Sequence, residues 1–316
     1  MLKVKNIGFA YQEKKVIDNI SFSINQGKNV AIIGESGCGK STLLKLIYGL
    51  YDLDQGEITY DHKQILGPKF KLIAGEDFIK YLAQDFDLMP FVTVGENVGK
   101  FLSNVHKEKK QDRISELLDI VEMSEYVNVK AKFLSGGQMQ RVAIARVLAL
   151  EPKILLLDEP FSHIDNFRKN KLRRNLFAYL KSQNITCLVA THDSTDVLSF
   201  ADEVIVLRTG KIIQNGIPSI IFENPKDYYT ASLFGDANII NESYFENKPQ
   251  IDTNIILFSH QLIVSDFSRL KVKIISNYFR GSYYLIEGKY EMGTVFFENK
   301  FSLAVGSDIF LKKTPK

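Results

Sequence analysis

A chain of 316 residues has room for about two domains, and 45% hydrophobic with 24% charged residues is the make-up of a globular protein with a sizeable core. Forty basic residues against 37 acidic leave a net charge of +3, too little to collect a polyanion, so no nucleic-acid partner is expected. No apolar run approaches the roughly 18 residues of a membrane span, and Met1-Leu2-Lys3-Val4-Lys5 starts an alternating strand rather than a signal peptide, so any membrane role comes through a partner.

From Lys3 to Ile24 the pattern is short strands around a polar turn at Gln12-Glu13-Lys14-Lys15, an antiparallel β edge. Tyr11 at its end either packs in the sheet or stacks on a base. An apolar run, Val30-Ala31-Ile32-Ile33, then meets Gly34-Glu35-Ser36-Gly37-Cys38-Gly39-Lys40-Ser41-Thr42 and a helix-prone Leu43-Leu44-Lys45-Leu46. Strand, glycine-rich loop and helix in that order form a phosphate cradle: backbone N–H groups curl around an anion and the helix dipole points at it. Lys40 adds a positive charge, Ser41 a hydroxyl for the Mg²⁺ that bridges the outer phosphates, and Thr42 a further donor. Asp54-Gln55-Gly56-Glu57 reads as a turn before the strand Ile58-Thr59-Tyr60.

Residues 72–81 carry no clear period and lead to Leu82-Ala83-Gln84-Asp85. Beyond Pro90, Val94, Val98, Phe101 and Leu102 fall at helical spacing, and a second helix is predicted from Lys110 to Met123 behind the solvated run Lys107-Glu108-Lys109-Lys110. Leu134-Ser135-Gly136-Gly137-Gln138 precedes a helix over Met139–Leu150, so Ser135, Gly136 and Gly137 make a second anion-receptive N-terminus.

The run Lys153 to Leu157 has no alternation, as expected of a parallel strand covered on both faces, and ends in Asp158 and Glu159. Ligands bind at that edge of an open α/β sheet. Asp158 can hold Mg²⁺ through its water shell, and Glu159 can deprotonate a water aimed at the terminal phosphate. A second buried strand, Ile185–Ala190, delivers His192 to the same edge, and Val204–Leu207 with Lys211–Gln214 forms a hairpin around Thr209-Gly210. Cys38 and Cys187 sit in the loop and in a buried strand, as small packed residues of a reducing compartment rather than a disulfide pair.

In this order Tyr11, the loop from Gly34 to Thr42, Gln84, the signature from Leu134 to Gln138, Asp158-Glu159 and His192 resemble an ABC-transporter ATPase subunit, over roughly residues 1–235. The resemblance implies a P-loop NTPase core of α/β class with antiparallel β and helical subdomains, the helical one at about 85–150. It implies a homodimer or paired ATPase subunit set head to tail, with ATP between the loop of one chain and residues Ser135, Gly136, Gly137 and Gln138 of the other. Mg²⁺ would be held by Ser41, Gln84 and Asp158, and catalysis carried by Glu159, His192 and Gln84, with Gln84 also coupling to a transmembrane permease. Asp165 would cross the dimer interface. His163 departs from the family's usual small apolar residue, which reads as tolerated interface variation. The expected location is peripheral, on the cytoplasmic face of the cell membrane.

The tail, residues 236–316, shows alternating runs punctuated by Gly281, Gly288, Gly293 and Gly306, which predict a small all-β barrel or sandwich. It resembles the accessory β domain of importer ATPases for polyamines, ferric iron, sulfate or sugars, although Ser259-His260-Gln261 stands where that domain often carries Arg-Pro-Glu. An importer implies, through the permease, a solute-binding protein. An exporter or lipid-extraction ATPase normally lacks such a tail. ABC ATPases of translation or DNA repair usually bring a duplicated core or a coiled-coil insert, and neither a repeat nor a heptad run is visible.

Overall fold

The structure, a computed structural model, describes residues 1–245 and 253–314. Contacts divide the chain into two compact units, Met1–Ser219 and Ile220–Lys316.

The first unit opens with strands β1 (Leu2–Tyr11) and β2 (Lys14–Ile24), then β3 (Asn29–Ile33), helix α1 (Lys40–Tyr48), β4 (Gln55–Tyr60) and β5 (Lys63–Gln64). Strands β2, β1, β4 and β5 make an antiparallel sheet in that order. Period-two alternation buries Leu2 and Val4 and exposes Lys3 and Lys5, which fixes the inward face. The chain continues through β6 (Ile79–Leu82), α2 (Val94–Val98), α3 (Lys107–Ile120), α4 (Gly136–Leu148), β7 (Ile154–Asp158), α5 (Asn166–Ser182), β8 (Thr186–Thr191), α6 (Ser194–Phe200), β9 (Glu203–Arg208) and β10 (Lys211–Gly216).

A second sheet runs β10-β9-β3-β8-β7-β6. All but the edge strand β10 are parallel to their neighbours. Every residue of β3, β7 and β8 is buried, because helices cover both faces of a parallel sheet and leave no wet side for alternation. The C-terminal ends of β3, β8, β7 and β6 therefore lie side by side, with Ile33 level with Thr191, Ala190 with Asp158, and Leu157 with Leu82.

Helix limits differ from the sequence expectation, and α3 and α4 also end earlier, at Ile120 and Leu148. Helix α2 stops at Gly99, short of Phe101, since its capping box at Thr93 and Glu96 fixes the start while glycine and an exposed Phe101 give the next turn nothing to hold. Helix α3 already begins at Lys107. Helix α4 begins at Gly136 because Ser135 caps it.

The second unit contains most of α7 (Pro218–Glu223), then α8 (Tyr228–Ser232), β11 (Ala237–Asn241), β12 (Asn254–Phe258), β13 (Leu262–Ser265), β14 (Leu270–Phe279), β15 (Tyr284–Tyr290), β16 (Gly293–Asn299) and β17 (Asp308–Lys313). A five-stranded antiparallel sheet, β13-β17-β14-β15-β16, accompanies the two-stranded ladder β11-β12. Leu262, Leu270, Val272, Ile274, Ile286, Val295, Phe297 and Leu311 form its core together with Ile240 and Leu257 of the ladder. Asn238 ties ladder to sheet, donating to the Phe296 carbonyl at 2.8 Å and accepting from the Phe296 N–H at 2.7 Å. Within this unit Phe222 stacks on Phe258 at 4.6 Å and meets Phe234 edge-on at 6.2 Å.

Candidate functional site

Four parallel strands deliver their C-terminal residues to one edge, and a cleft of ≈ 360 Å³ opens there. Tyr11, Ser36, Gly37, Gly39, Lys40, Ser41, Thr42, Gln84, Glu159 and His192 all line it. The remaining loop residues, Gly34, Glu35 and Cys38, are not part of its lining. Gly34 passes so close to β9 that a methyl group there would lie 2.2 Å from the Leu207 carbonyl oxygen. Cys38 is buried beneath the loop, and burial pushes its thiol pKa up. Glu35 contributes its carbonyl: the Lys40 ammonium donates to the Gly34 and Glu35 carbonyls at 2.7 and 2.9 Å, which holds its charge inside the loop's curl.

Tyr11 stands edge-on to Phe9 and Tyr51, with ring centroids 4.8 and 5.5 Å away, and its hydroxyl is 3.4 Å from the Thr42 hydroxyl. A ring so braced keeps exposed surface for a planar ligand at the mouth of the cleft.

Asp158 ends β7 in nearly full burial, at 3% exposure. Ser41 Oγ donates to its Oδ1 at 2.9 Å and Tyr81 OH to its Oδ2 at 3.1 Å. Burial raises the Asp158 pKa against the pull of those two donors, and burial together with the carboxylate's charge raises that of Tyr81. A buried carboxylate whose direct partners are two hydroxyls is a hard oxygen donor set of the kind Mg²⁺ prefers. Among the described residues no cluster of three or more His, Cys, Asp or Glu exists.

Glu159, the next residue, has φ of 51°, left-handed backbone that a non-glycine residue holds only under constraint. Its N–H donates to the Ala190 carbonyl at 2.9 Å, and its own carbonyl accepts from Gln140 Nε2 at 2.9 Å and Ser162 Oγ at 3.0 Å. The carboxylate thereby meets His192, whose Nδ1 lies 2.7 Å from Oε2.

The turn that carries His192 is fixed from below. Arg173, buried on α5, pairs with Asp193 at 2.5 Å and Asp196 at 2.6 Å, while Thr191 Oγ1 donates to Asp196 at 2.6 Å. Burial alone would raise the Asp193 pKa, but Arg173 and the Thr195 N–H outweigh it and hold the carboxyl below its usual range. Burial leaves Asp196 raised.

The signature residues are not in this cleft. Ser135, Gly136, Gly137 and Gln138 line a separate pocket of ≈ 450 Å³ together with Arg141, His163, Ile164, Asp165 and Arg168. A capping box shapes its floor: the Ser135 N–H donates to Gln138 Oε1 at 2.8 Å, and the Gln138 N–H to Ser135 Oγ at 3.4 Å. Asp165 caps α5 by accepting from the Arg168 N–H at 3.0 Å.

Sequence reasoning passed over three functional neighbours. Tyr81 left no signal, because it lies where no period could be read. Gln140 did leave one, a polar residue in register with buried Ala143 and Ile144. Arg173 is a lone charge on an otherwise apolar helix face, between Leu172 and Leu176.

A family profile described as ABC transporter matches residues 17–162. The chain is 37% identical over 243 residues to the spermidine/putrescine import ATP-binding protein PotA of Pasteurella multocida, an alignment covering 76% of this chain and 65% of that one. It is 37% identical over 261 residues to the Fe(3+) ions import ATP-binding protein FbpC of Mesorhizobium japonicum, covering 80% and 72%. Among solved structures, a dimeric post-hydrolysis state of the ATP-binding cassette MJ0796 bound to ADP and Pi superposes with a TM-score of 0.61 at 31% identity, covering 69% of this chain and 99% of that one. The cbiO1 protein of Clostridium perfringens, part of the transporter complex cbiONQ, superposes with a TM-score of 0.63 at 31% identity, covering 71% and 90%. With this cleft, this signature helix and these relatives, the chain belongs to the ABC transporter family.

Proposed function

We propose that this chain hydrolyses ATP as one of two paired subunits, each completing the other's site, and that the cycle of pairing drives a separate membrane permease. The observation that carries this reading is the separation within one chain of a complete phosphate-binding cleft from a signature pocket whose helix N-terminus faces no phosphate loop of its own. A second copy, turned head to tail, supplies the missing half to each.

In that arrangement Tyr11 stacks on the base, Lys40 and the loop N–H groups hold the phosphate chain, and Ser135 and Gly137 of the other copy reach the terminal phosphate. Ser41, Asp158 and Gln84 would hold Mg²⁺, which supplies charge neutralisation on the outer phosphates. Glu159 takes a proton from the attacking water as its oxygen bonds to the terminal phosphorus and the bond to ADP breaks. His192 orients Glu159 through Nδ1 and keeps Nε2 as its second polar atom for the leaving phosphate. Gln84, in the segment between the sheet and the helical subdomain, reports the state of the site to the permease.

The relatives are named for different cargoes, polyamines and ferric ion, so we assign cargo choice to the permease and a solute-binding protein. No helix among the described residues is long and apolar enough to cross a membrane, and the subunit's proposed place is peripheral, on the cytoplasmic face.

Glu159→Gln tests the chemistry. A general base contributes about 10²- to 10⁴-fold, so the variant should bind ATP, accumulate as ATP-bound pairs in light scattering, and turn over slower by that order. Turnover at the wild-type rate would overturn the assignment of Glu159. Purified from gently solubilised membranes with ATP, the same variant should bring down a polytopic permease. Ribosomes or DNA-repair proteins in its place would leave the hydrolysis standing and overturn the transport role.

A further inference from the structure

His163 is a position in the family pattern that the reading above leaves without work. Its backbone N–H donates to Gln140 Oε1 at 3.1 Å, and the Nε2 of the same amide donates to the Glu159 carbonyl at 2.9 Å. Its carbonyl oxygen lies 2.7 Å from where a Cβ on Gly137 would stand, so the signature turn rests directly on it. Its ring meets the ring of Phe86 edge-on, with centroids 5.4 Å apart and planes at 86°. Phe86 is two residues beyond Gln84, and its carbonyl accepts from Arg146 of α4 at 3.2 Å. Three segments with separate duties thus converge on one residue: the base, the signature and the Gln84 segment. The backbone contacts are open to any residue at this position. The ring contact is not, since a small apolar side chain cannot reach Phe86.

We propose that His163 is a positioning residue, whose ring on Phe86 transmits movement of the Gln84 segment to the peptide that aims Glu159. The inference rests on Glu159 being the base of the paired ATPase described above. Displacement of Phe86 with α4 loads the His163 ring, and the Gln140 amide passes that displacement to the Glu159 carbonyl. Because Glu159 sits in left-handed backbone held by hydrogen bonds to neighbours, a small shift at its carbonyl re-aims its carboxylate. His163 is not among the residues that line the cleft of the phosphate loop, so loss of its ring should slow the chemical step more than it weakens ATP binding there.

The test is a double-variant cycle on the purified full-length chain, read as ATP turnover at limiting and saturating ATP. H163A and F86A should each lower kcat about two- to twelvefold, the span of an aromatic pair's coupling, with KM for ATP changed less than about twofold. The F86A/H163A variant should be no slower than the slower single one, since both changes break the same contact. H163F, which keeps an aromatic edge but not the imidazole, should recover most of the rate. Multiplying effects in the double variant, an H163F rate as low as that of H163A, or a KM rise at unchanged kcat would each overturn the proposal. E159Q run alongside separates the two readings. Normal turnover by E159Q sinks the assignment of the base itself, whereas a dead E159Q with an additive cycle sinks only the role of His163. The chain has no tryptophan, so F86W provides a sole indole at the contact for variants too unstable to assay by turnover. Its emission should respond to ATP in the F86W background and lose that response in F86W/H163A; an equal response in both would overturn the contact.

Discussion

Two adjacent glycines of the signature should respond in opposite directions to the same substitution. Gly136 and Gly137 open α4, and both are glycines in the first helical turn. A Cβ built on Gly136 meets nothing nearer than the His163 Cβ at 4.0 Å, whereas one on Gly137 falls 2.7 Å from the His163 carbonyl oxygen and 3.5 Å from the Ile164 Cα. Ordinary contact begins at 3.4 Å, so Gly137→Ala requires a backbone displacement of about 0.7 Å (3.4 − 2.7) in the segment that carries His163. Alanine in either place reduces the freedom of the unfolded chain and stabilises by roughly 0.4–1 kcal/mol. Forcing a backbone shift in packed structure costs about 1–3 kcal/mol.

Gly136→Ala should therefore raise the melting temperature slightly, and Gly137→Ala should lower it or at best leave it unchanged. The two variants should differ by roughly 1–3 kcal/mol, which for a unit of this size is on the order of 2–12 °C. Calorimetry of both variants side by side measures that difference without reference to wild type. Because the displaced segment also anchors Glu159 through Gln140, Gly137→Ala should in addition lose kcat. Equal melting temperatures, or Gly137→Ala the more stable of the two, would refute the packing argument.

Lys40→Ala removes the ammonium held by the Gly34 and Glu35 carbonyls, and on the order of 3 kcal/mol of phosphate stabilisation should go with it; nucleotide affinity within a fewfold of wild type would refute the role of Lys40. Arg173→Met strands Asp196 in a site where both partners are 3% exposed, and breaking such a pair costs about 3–5 kcal/mol; a loss below about 1 kcal/mol in calorimetry would show that the pair carries little. The Asp193 carboxyl is held below its ordinary value of 3.8, so its stabilising contribution is complete above that value and is lost as pH falls through the lower folded one. The stability difference between wild type and Asp193→Asn should accordingly stay constant from about pH 7 to 5 and shrink below about pH 4, and a difference that grows toward acid in a denaturant series would refute the sign.

What was legible in the sequence follows from which forces are local. Strands β3, β7 and β8 announce themselves because a strand covered on both faces must be apolar throughout, and the residues that end them, Gly34, Asp158 and His192, are then placed by topology alone. Ser135–Gln138 line a pocket of their own, apart from the cleft. Strand β6 was not legible: four residues paired to β7 are held by that pairing and by no pattern of their own, so Tyr81 and its bond to Asp158 stayed hidden. Strand β11 was missed for the same reason, its partner β12 lying across an intervening segment. The extent of α2 was overestimated because spacing says which residues share a face but not whether a core waits for them, and Phe101 has none.

Helix α4 explains why Glu159 and the signature segment should not move independently. Its 13 residues span about 20 Å. From that one rigid element Ser135 and Gly137 face the signature pocket, Gln140 holds the peptides of Glu159 and His163, and Arg146 holds the carbonyl of Phe86. A left-handed glutamate is a costly way to place a carboxylate, and it persists only while its neighbours constrain it. One of those constraints belongs to β8, through the Ala190 carbonyl, and another to α4, through Gln140. A rotation of α4 relative to the sheet changes one constraint and not the other, so the aim of Glu159 depends on where α4 stands.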